Sequence, residues 1–479
     1  MGSVGHTATG TRTRRRRRVL FFSLPYQGHI NPMFQLAGLL HARGFAITVF
    51  HTHFNAPDAS QHPAYDFVPV QDDGMPADSP DTVQVTVEHM FALNRACEAS
   101  FRERLAALLE QQQQHAREED VACLVADAHL LTLMDVARGL GVPTLALRTG
   151  SAACFRWFMA FPMLCDKGYL SAQGVQSPVS ESQLDMPVME LPPYRVRDLP
   201  SAASGATHGL MREVISRAVS AVKTSSGLII NTFDALEADE LASLRRDLAV
   251  PVFDIGPLHV HSPAASSSLL QQDRGCLDWL DAQGPASVLY VSFGSLASMS
   301  AADLAETAWG IANSGRPFLL VLRPGLVRGA PPTQQRQQLP DSFDAETRGR
   351  GMVVSWAPQE EVLAHPAVGA FWTHCGWNST LEGVCAGVPM LCRPCFGDQM
   401  GNARYVDNVW RTGLSLDGEL ERGKVEAAIS TMMGSGESET GTELRGRARE
   451  LSRRAAESVA KAGSSDLNVD RLVNHILSL

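Results

Sequence analysis

Short apolar runs alternate with amphipathic stretches at the start of the chain, and this alternation predicts a parallel α/β fold. Residues 19–24 form an apolar run of the kind that becomes a buried strand. Asn31 and Pro32 then supply a helix N-cap and a proline at the first helical position, and Gly44 ends that helix. Residues 45–50 give the next strand, so the chain opens with a strand, a helix and a second strand.

The same rhythm restarts near residue 287, after a change in composition. Residues 254–257 read Asp-Ile-Gly-Pro, and a stretch rich in serine and alanine follows at residues 262–268, as in a linker. Five further strands are predicted beyond it, at residues 288–291, 318–322, 352–354, 370–372 and 389–391. We therefore predict four segments: a flexible Arg-rich tail at 1–18, a first α/β domain at 19–257, a linker at 258–272 and a second α/β domain at 273–479.

Charge and composition exclude several classes of function. Six of the 41 Lys and Arg residues lie in a tract at residues 12–18, which leaves 35 of them against 51 Asp and Glu residues. A body this acidic is a poor match for a phosphate backbone, so we expect no nucleic-acid partner. No apolar run reaches the roughly 18 to 20 residues of a membrane-spanning helix, and residues 19–24 are too short for a signal-peptide core. Nine dilute cysteines argue for a reducing compartment, so we expect a cytoplasmic protein.

Ligands of a parallel sheet bind beyond the carboxyl ends of its strands, so residues that directly follow strands are the first candidates for a site. His29 follows the first strand, and Asp127 ends a strand predicted at residues 121–126. A histidine there can act as a general base near neutral pH when a carboxylate orients it, and Asp127 is the candidate partner. Gly28 suits a tight turn and the close approach of a ligand. Spacing alone does not rank this histidine above three competing candidates, which are His51, His53 and His129.

The densest set of polar and aromatic residues lies in the second domain, between Trp356 and Gln399. A helix is predicted to begin with Ser379 as its N-cap, in a capping box with Glu382. The N-terminus of such a helix, with glycine, histidine and asparagine beside it, is suited to bind a diphosphate. Trp356 has the position to stack on a nucleobase. Asp398 and Gln399 carry the groups that recognise sugar hydroxyls.

Other motifs bear on alternative chemistries. The turn Phe-Gly-Ser at residues 293–295 is a second small-residue turn that can approach a phosphate. Cys392 and Cys395 have redox or zinc spacing, but no second pair of ligands completes a metal set, so we interpret them as packing residues. The sequence contains neither G-x-G-x-x-G nor G-x-x-x-x-G-K-[ST], which removes the main support for nicotinamide and P-loop chemistry.

The segment from Trp356 to Gln399 closely resembles the signature box of plant UDP-dependent glycosyltransferases that act on small molecules. The residues that match at the family's spacing are Trp356, Gln359, His374, Gly376, Trp377, Asn378, Ser379, Glu382, Pro389, Asp398 and Gln399. The resemblance extends to residues 28–32 and to the turn at residues 293–295. It implies an α/β fold of GT-B architecture, in which two Rossmann-like domains face each other. The N-terminal domain would bind the acceptor and the C-terminal domain the UDP-sugar, with a last helix that packs back on the N-terminal domain.

The resemblance also implies a role for each residue of the donor site. Trp356 would stack on uracil while the Ala357 backbone pairs with it, and Gln359 and Glu382 would bind the ribose hydroxyls. The residues expected to hold the diphosphate are Ser295, His374, Asn378 and Ser379. The residues expected to face the sugar are Trp377, Asp398, Gln399 and, through its hydroxyl, Thr149, with Gly28 close to the donor. Gln399 at the end of the box is similar to glucose-using members of the family.

The resemblance identifies His29 as the family's catalytic base and Asp127 as its acidic partner. It implies that His29 takes a proton from an acceptor hydroxyl while that oxygen attacks the anomeric carbon of UDP-glucose, giving a β-glucoside with inverted configuration. The acceptor would be a small plant metabolite or xenobiotic of terpenoid, phenolic, benzoxazinoid, mycotoxin or hormone type. We expect a monomer that needs no metal or other cofactor. The expected apolar walls of the acceptor pocket are Phe91, Phe155, Phe158 and Phe396.

Three alternatives stay open at this point. The attacked acceptor atom could be a nitrogen, as in a cytokinin. The protein could instead bind a nucleotide sugar or a metabolite without catalysis, although such a protein has no need for a base and an acidic partner. It could also rearrange or hydrolyse the UDP-sugar, in which case release of UDP would not depend on an acceptor.

Overall fold

The computed structural model of the chain describes residues 16–74, 83–115, 119–170, 181–199, 205–262, 268–434 and 439–479. The first half of the chain forms a seven-stranded sheet. Its strands are β1 Arg16–Phe22, β2 Ala46–His51, β3 Asp66–Pro69, β4 Glu119–Asp127, β5 Thr144–Arg148, β6 Gly227–Ile230 and β7 Val252–Asp254. They are parallel and follow the order β3-β2-β1-β4-β5-β6-β7.

The second half forms a six-stranded sheet that is also parallel. Its strands are β8 Val288–Ser292, β9 Phe318–Val321, β10 Gly351–Val354, β11 Val368–Thr373, β12 Met390–Cys392 and β13 Gly413–Ser415. They follow the order β10-β9-β8-β11-β12-β13. Each sheet therefore reverses its winding once, between β1 and β4 in the first and between β8 and β11 in the second, and ligands bind at such points.

Helices cover both sheets. Those of the first half are α1 Gln27–Ala42, α2 Val83–His115, α3 Leu131–Gly139, α4 Ala152–Asp166, α5 Glu181–Leu184, α6 Gly205–Lys223, α7 Asp234–Asp247 and α8 Leu258–His261. Those of the second half are α9 Gly275–Asp281, α10 Ala301–Asn313, α11 Phe343–Thr347, α12 Gln359–Ala364, α13 Trp377–Ala386, α14 Gln399–Arg404, α15 Arg422–Met433, α16 Glu439–Val459 and α17 Ser464–Ser478.

Both faces of the first sheet are buried, as is usual for a parallel sheet between two helical layers. Leu20 and Phe22 of β1 point into one apolar cluster, and Val19 and Phe21 point into another on the opposite face. The last helix, α17, contributes to that second cluster with Val469, Leu472 and Ile476. It therefore lies on the N-terminal sheet, although it follows the C-terminal one in the chain.

The structure corrects two predicted boundaries in the first domain. The tail was expected to reach residue 18, but β1 begins at Arg16, and Arg18 donates hydrogen bonds to Thr48 on β2 and Asp66 on β3. Helix α1 begins at Gln27 and not after Asn31, so Pro32 lies inside it. Residues 1–15 of the tail and 263–267 of the linker lie outside the described residues, and the predicted domain limits remain predictions.

No helix in the described ranges is both long enough and apolar enough to cross a membrane.

Candidate active site

A cleft of about 780 Å³ opens between the carboxyl ends of the two sheets. In the first domain its walls come from the segments that follow β1, β4 and β5, and from α2 and α6. In the second domain they come from the segments that follow β8, β10, β11 and β12. The two points of reversed winding therefore contribute to one shared site.

His29 lies in the first turn of α1, and Asp127 is the last residue of β4. His29 Nδ1 is 2.5 Å from Asp127 Oδ2, and the carboxylate is 1% exposed. Burial alone would raise the pKa of Asp127, but the charge of His29 and hydrogen bonds from His129 and His29 outweigh it and hold this pKa below its ordinary value. Asp127 therefore accepts the Nδ1–H of His29, so in the neutral form of the ring Nε2 is the nitrogen without a proton.

The competing histidines are less suited to act as a base. His129 Nδ1 is 3.0 Å from Asp127 Oδ1, and its Nε2 is 3.1 Å from Arg148 Nη1, so both ring nitrogens are engaged. Burial lowers the pKa of His129. In the described part of the chain, neither His51 nor His53 lines the cleft. The histidine of α1 remains the best candidate.

The start of α1 is tied to the second domain. Across the cleft, the Gly28 carbonyl accepts a hydrogen bond from Asn378 Nδ2 of the second domain at 2.9 Å. Within the first domain, Thr149 Oγ1 lies 3.1 Å from His29 Nδ1. Pro32 explains why that carbonyl is available, because an N–H at this position would donate to it within the helix. The contact joins the helix that carries the candidate base to α13.

His374 follows β11 and is enclosed by two glycines. A Cβ atom at Gly294 would lie 2.4 Å from its ring, and one at Gly376 would lie 2.5 Å from Nε2, so a side chain at either position would displace the ring. Burial, with the charge of Arg323, lowers the pKa of His374 to about 4, so the ring is neutral at pH 7. Its Nδ1 is buried without a hydrogen-bond partner among the described residues, which suits it to a phosphate oxygen. Ser295 lies in the same wall.

The capping-box prediction for α13 is wrong. The helix begins at Trp377 with an extended Gly376 as its N-cap, so Ser379 and Glu382 already lie inside it. Both accept hydrogen bonds from Gln359 Nε2, at 2.8 Å for the Ser379 hydroxyl and 2.6 Å for the Glu382 carboxylate. The three side chains form a polar group that borders the cleft and can bind hydroxyls.

The two predicted tryptophans differ in their surroundings. Trp356 is half-buried, lines the cleft beside Ala357, and donates its indole N–H to Ser268 Oγ at 3.2 Å. Trp377 borders the cleft, but its indole N–H donates to the Asn231 carbonyl of the first domain at 2.7 Å. Its indole N–H is therefore engaged in a contact between the domains, while the residue itself still borders the cleft, and its position facing the sugar stays a prediction.

Asp398 and Gln399 stand at the start of α14 and border the cleft. Gln399 Oε1 accepts the backbone N–H groups of Cys395 at 2.9 Å and Phe396 at 3.0 Å, which fixes the amide. Asp398 Oδ2 accepts a hydrogen bond from Asn402 at 3.2 Å, and burial raises the pKa of Asp398. Both residues present fixed polar groups to the cleft.

Of the four phenylalanines predicted for the acceptor wall, two line the cleft and two do not. Phe158 and Phe396 line the cleft, whereas Phe91 and Phe155 are absent from its described lining. Phe155 is fully buried against the first sheet, and Phe91 packs in the apolar cluster around Trp157. Sequence reasoning missed wall residues that recur at helical spacing on α2, α4 and α6: Val87, Met90, Cys154, Trp157, Met211, Val214 and Ile215. That spacing was the signal that would have found them.

The side chains that resemble metal ligands have simpler explanations. His29, Asp127 and His129 bring ligand-type atoms within 4.8 Å of one another, and the hydrogen bonds described above account for this arrangement. Cys392 and Cys395 are free thiols, one buried and one half-buried. Cys392 belongs to one apolar cluster of the second domain and Cys395 packs against another, in agreement with our interpretation of both as packing residues.

Comparisons with known proteins confirm the predicted fold and family. A family model described as UDP-glucoronosyl and UDP-glucosyl transferase matches residues 247–437. The DIMBOA UDP-glucosyltransferase BX8 of Zea mays is 49% identical, with 95% of this chain and 98% of that protein covered. UDP-glycosyltransferase 76B1 of Arabidopsis thaliana is 42% identical over 97% of this chain and 99% of its own. The crystal structure of Os79 from O. sativa in complex with UDP has a TM-score of 0.78 at 27% identity and covers 96% of this chain and 100% of its own. The chain therefore belongs to the plant family of UDP-dependent glycosyltransferases and is an enzyme with the GT-B fold.

Proposed function

We propose that this enzyme transfers glucose from UDP-glucose to a hydroxyl group of a small plant metabolite or xenobiotic, with inversion at the anomeric carbon. The observation that carries the proposal is that His29, held by Asp127, shares one cleft with the His374 turn and the start of α13. A base on one wall and an anion site on the other are what displacement at a sugar–phosphate bond requires.

The proton transfer follows from the state of His29. Its Nδ1–H is held by Asp127, so Nε2 accepts the proton of the acceptor hydroxyl as that oxygen bonds to the anomeric carbon. The bond from the anomeric carbon to the β-phosphate oxygen breaks on the opposite face, and UDP leaves with the electron pair. Attack opposite to the leaving group inverts the configuration, and Asp127 stabilises the imidazolium that forms.

The leaving diphosphate would be held without a lysine. The first N–H groups of α13 have no carbonyl partner within the helix. Nδ1 of His374 is buried beside them without a partner among the described residues, and we assign it the ring proton, which it would donate to a phosphate oxygen. Because His374 is neutral at pH 7, it supplies a hydrogen bond and not a full positive charge. Ser295, Asn378 and Ser379 complete the set that we assign to the phosphates.

The rest of the donor is assigned by neighbouring groups. Trp356 is the candidate to stack on uracil, with Ala357 beside it, and Gln359 and Glu382 are candidates for the ribose hydroxyls. Gln399 has its amide oxygen bound by backbone, so its nitrogen is the group left to donate to a sugar hydroxyl. We assign glucose on this basis, with Asp398 as the acceptor of further sugar hydroxyls.

The acceptor end of the cleft is apolar. Trp157, Phe158, Met90 and Met211 contribute to its walls, which suits a compact ring compound with few polar groups. BX8 carries DIMBOA in its name, and other structures similar to this chain hold pterostilbene or a trichothecene. We propose acceptors of this size, bearing one hydroxyl that reaches His29.

The test is to incubate the protein with UDP-glucose and a pool of hydroxylated plant metabolites, and to detect products by mass spectrometry. UDP-galactose and UDP-glucuronate serve as parallel donors, and the His29→Ala variant is the control. A hexose adduct that depends on His29 is the expected result. UDP released equally without an acceptor would favour hydrolysis, UDP binding without any adduct would favour a binding protein, and adducts only on amines would favour nitrogen acceptors.

We also propose that the enzyme works as a monomer in the cytoplasm and needs no metal. Light scattering of the full chain measures its mass in solution, and a fluorescent fusion reports its compartment. Turnover after dialysis against a chelator should equal turnover before it. A large loss that added metal restores would contradict the proposal.

A further inference from the structure

His129 and Arg148 are buried beside His29 and Asp127, and the reaction proposed above gives neither of them a part. His129 is 9% exposed and Arg148 is 3% exposed. Burying a guanidinium is costly unless its charge is compensated and its N–H groups are bonded. Among the described residues, the hydrogen bonds of Arg148 go to His129 and to the Cys154 sulfur at 3.7 Å, and not to a carboxylate.

The hydrogen bonds fix the protonation of His129. An arginine only donates, so His129 Nε2, at 3.1 Å from Arg148 Nη1, must accept and carries no proton. Its Nδ1 then carries the proton and donates to Asp127 Oδ1 at 3.0 Å. The backbone N–H of His129 donates to the same oxygen at 2.9 Å. Oδ1 of Asp127 thus accepts two hydrogen bonds from His129, while Oδ2 accepts one from His29.

We propose that His129 and Arg148 are positioning residues for the transfer reaction, forming a chain from Arg148 through neutral His129 to Asp127 that orients this carboxylate toward His29. This inference rests on the proposed role of His29 as the base. The two hydrogen bonds to Oδ1 restrain rotation of the Asp127 carboxylate about its Cβ–Cγ bond. Oδ2 therefore stays in line with His29 Nδ1. Arg148 also compensates the charge of Asp127 through the intervening imidazole.

The charged and titratable groups around the hydrogen-bonded residues Arg148, His129 and Asp127 come from both domains. Arg148 lies 4.5 Å above the Phe158 ring, with Cys154 beside it. Asp398 approaches from the second domain, since a Cβ atom at Gly150 would lie 3.4 Å from Asp398 Oδ2 and 3.8 Å from Arg148 Nη2. The titratable groups that face the network are Tyr26, His29, Asp127, Cys154 and Asp398.

Kinetics of three variants test the proposal. His129→Phe keeps an aromatic ring and removes the side-chain hydrogen bonds, His129→Asn keeps a donor near the position of Nδ1, and Arg148→Met removes the charge at similar volume. We expect His129→Phe to lower kcat about tenfold or more while the KM for UDP-glucose changes less than about twofold. His129→Asn should recover most of kcat. His365→Asn, on a histidine that pairs with Asp281 away from the cleft, is the control.

The pH profile separates positioning from a merely structural role. With the donor to Asp127 or the charge of Arg148 removed, the carboxylate stabilises the imidazolium form of His29 more strongly. The acid limb of the kcat/KM profile should therefore move to higher pH by about half a unit in His129→Phe and Arg148→Met. An unmoved acid limb together with no rescue by His129→Asn would overturn the proposal, and so would unchanged kcat in His129→Phe.

A measurement without turnover keeps this test apart from the proposed function. Nitrogen NMR with labelled histidine, assigned by comparison with His129→Asn, reads the protonation of each ring nitrogen. We expect His129 to keep its proton on Nδ1 from pH 5 to pH 9 and to lose this fixed state in Arg148→Met. A proton on Nε2 in the unaltered protein would overturn the proposal, whereas absence of glucosyl transfer with the expected spectrum would overturn only the proposed function.

Discussion

At the point of reversed winding in the first sheet, a buried carboxylate, two histidines and an arginine are hydrogen-bonded to one another around Asp127. At the equivalent point in the second sheet, two glycines close around His374, whose pKa of about 4 keeps it neutral. The same backbone arrangement thus presents a charged network in one domain and neutral hydrogen-bond donors in the other.

The difference separates two tasks within one cleft. A proton acceptor needs a partner whose charge stabilises its protonated form, and Asp127 supplies this for His29. A diphosphate already carries charge, so helix N–H groups and a neutral imidazole can bind it without an added ion. Variants of the first network should therefore lower kcat, and variants of the second should weaken the binding of UDP-glucose.

The largest expected effect is on the base. His29→Ala should lower kcat by about 10² to 10⁴ and leave the dissociation constant of UDP nearly unchanged. Asp127 stays ionised in the working range because its pKa is held low, so it adds no second loss of activity on the acid side. Turnover and UDP titration calorimetry measure the two quantities, with His53→Ala as control. Activity retained in His29→Ala would contradict this separation of tasks between the two domains.

The next effect belongs to the phosphate turn. Gly376→Ala places a Cβ atom 2.5 Å from His374 Nε2, and the displaced ring should raise the KM for UDP-glucose about tenfold or more. Its backbone has a φ of −59°, so alanine causes no backbone strain there. Gly423→Ala is the matched control, because a Cβ at that helical position meets no atom within 4 Å. An equal loss in kcat with unchanged KM would contradict the assignment.

A smaller effect on UDP-glucose binding distinguishes the neighbouring carboxyl groups of Glu360 and Glu382. Burial and the charges of Glu382 and Glu361 raise the pKa of Glu360, while Gln359 Nε2 stabilises the carboxylate of Glu382. Burial also raises the pKa of Glu382, but the hydrogen bond from Gln359 opposes this rise, whereas no such bond to Glu360 is seen among the described residues, so we assign the proton that the pair retains near neutral pH to Glu360. Glu382→Gln should weaken UDP-glucose binding about tenfold, and Glu360→Gln should change it less than about twofold at pH 7.

The pH dependence of the same pair gives a second check. Ionisation of Glu360 at alkaline pH adds a negative charge near the donor, so the KM for UDP-glucose of the unaltered enzyme should rise there. Glu360→Gln should abolish this rise, since its side chain does not ionise. A rise of the same size in both proteins, measured by initial rates from pH 7 to pH 9, would contradict the assignment of the proton.

Apolar patterning was sufficient to predict the strands that carry the site. Residues 288–291 and 370–372 were predicted as strands and form the interior of β8 and β11, because a strand buried on both faces is a continuous apolar run. Strand ends also made His29 and Asp127 candidates for one pair, since neighbouring parallel strands bring these ends together, but only the resemblance ranked His29 above the other histidines.

What failed depended on contacts between distant parts of the chain. A proline usually marks the first turn of a helix, yet Pro32 lies inside α1 because the carbonyl it leaves unbonded, that of Gly28, is satisfied by Asn378, 350 residues away. The start of α13 depends on the close approach of the Gly376 backbone to the His374 ring, and local sequence patterns do not predict this contact. Likewise, Arg148 reads as one polar residue at the end of an apolar strand, and only the fold brings it to His129.

The smallest expected effect is on stability, and it concerns the acceptor wall of the first domain. Glu237 of α7 is 1% exposed, and its two oxygens accept the backbone N–H groups of Ala152 and Ala153, both at 2.9 Å, at the start of α4. Burial outweighs these hydrogen bonds and raises its pKa to about 7. In the second domain, α13, the helix that we assign to the phosphates, begins after Gly376, and no side chain among the described residues caps it.

The sign of the pH effect follows from this raised pKa. Between about pH 4.5 and pH 7 the unfolded chain releases the Glu237 proton while the folded protein retains it, so the free energy of unfolding falls as pH rises and then levels off. The melting temperature should therefore fall more between pH 5 and pH 8 in the unaltered protein than in Glu237→Gln, by about 3 °C. Asp239→Asn, an exposed carboxyl on the same helix, is the control and should keep the unaltered dependence. If Glu237→Gln shows the same fall, the carboxyl ionises equally in both states, and the acceptor wall is held without the protonation that we assign to it.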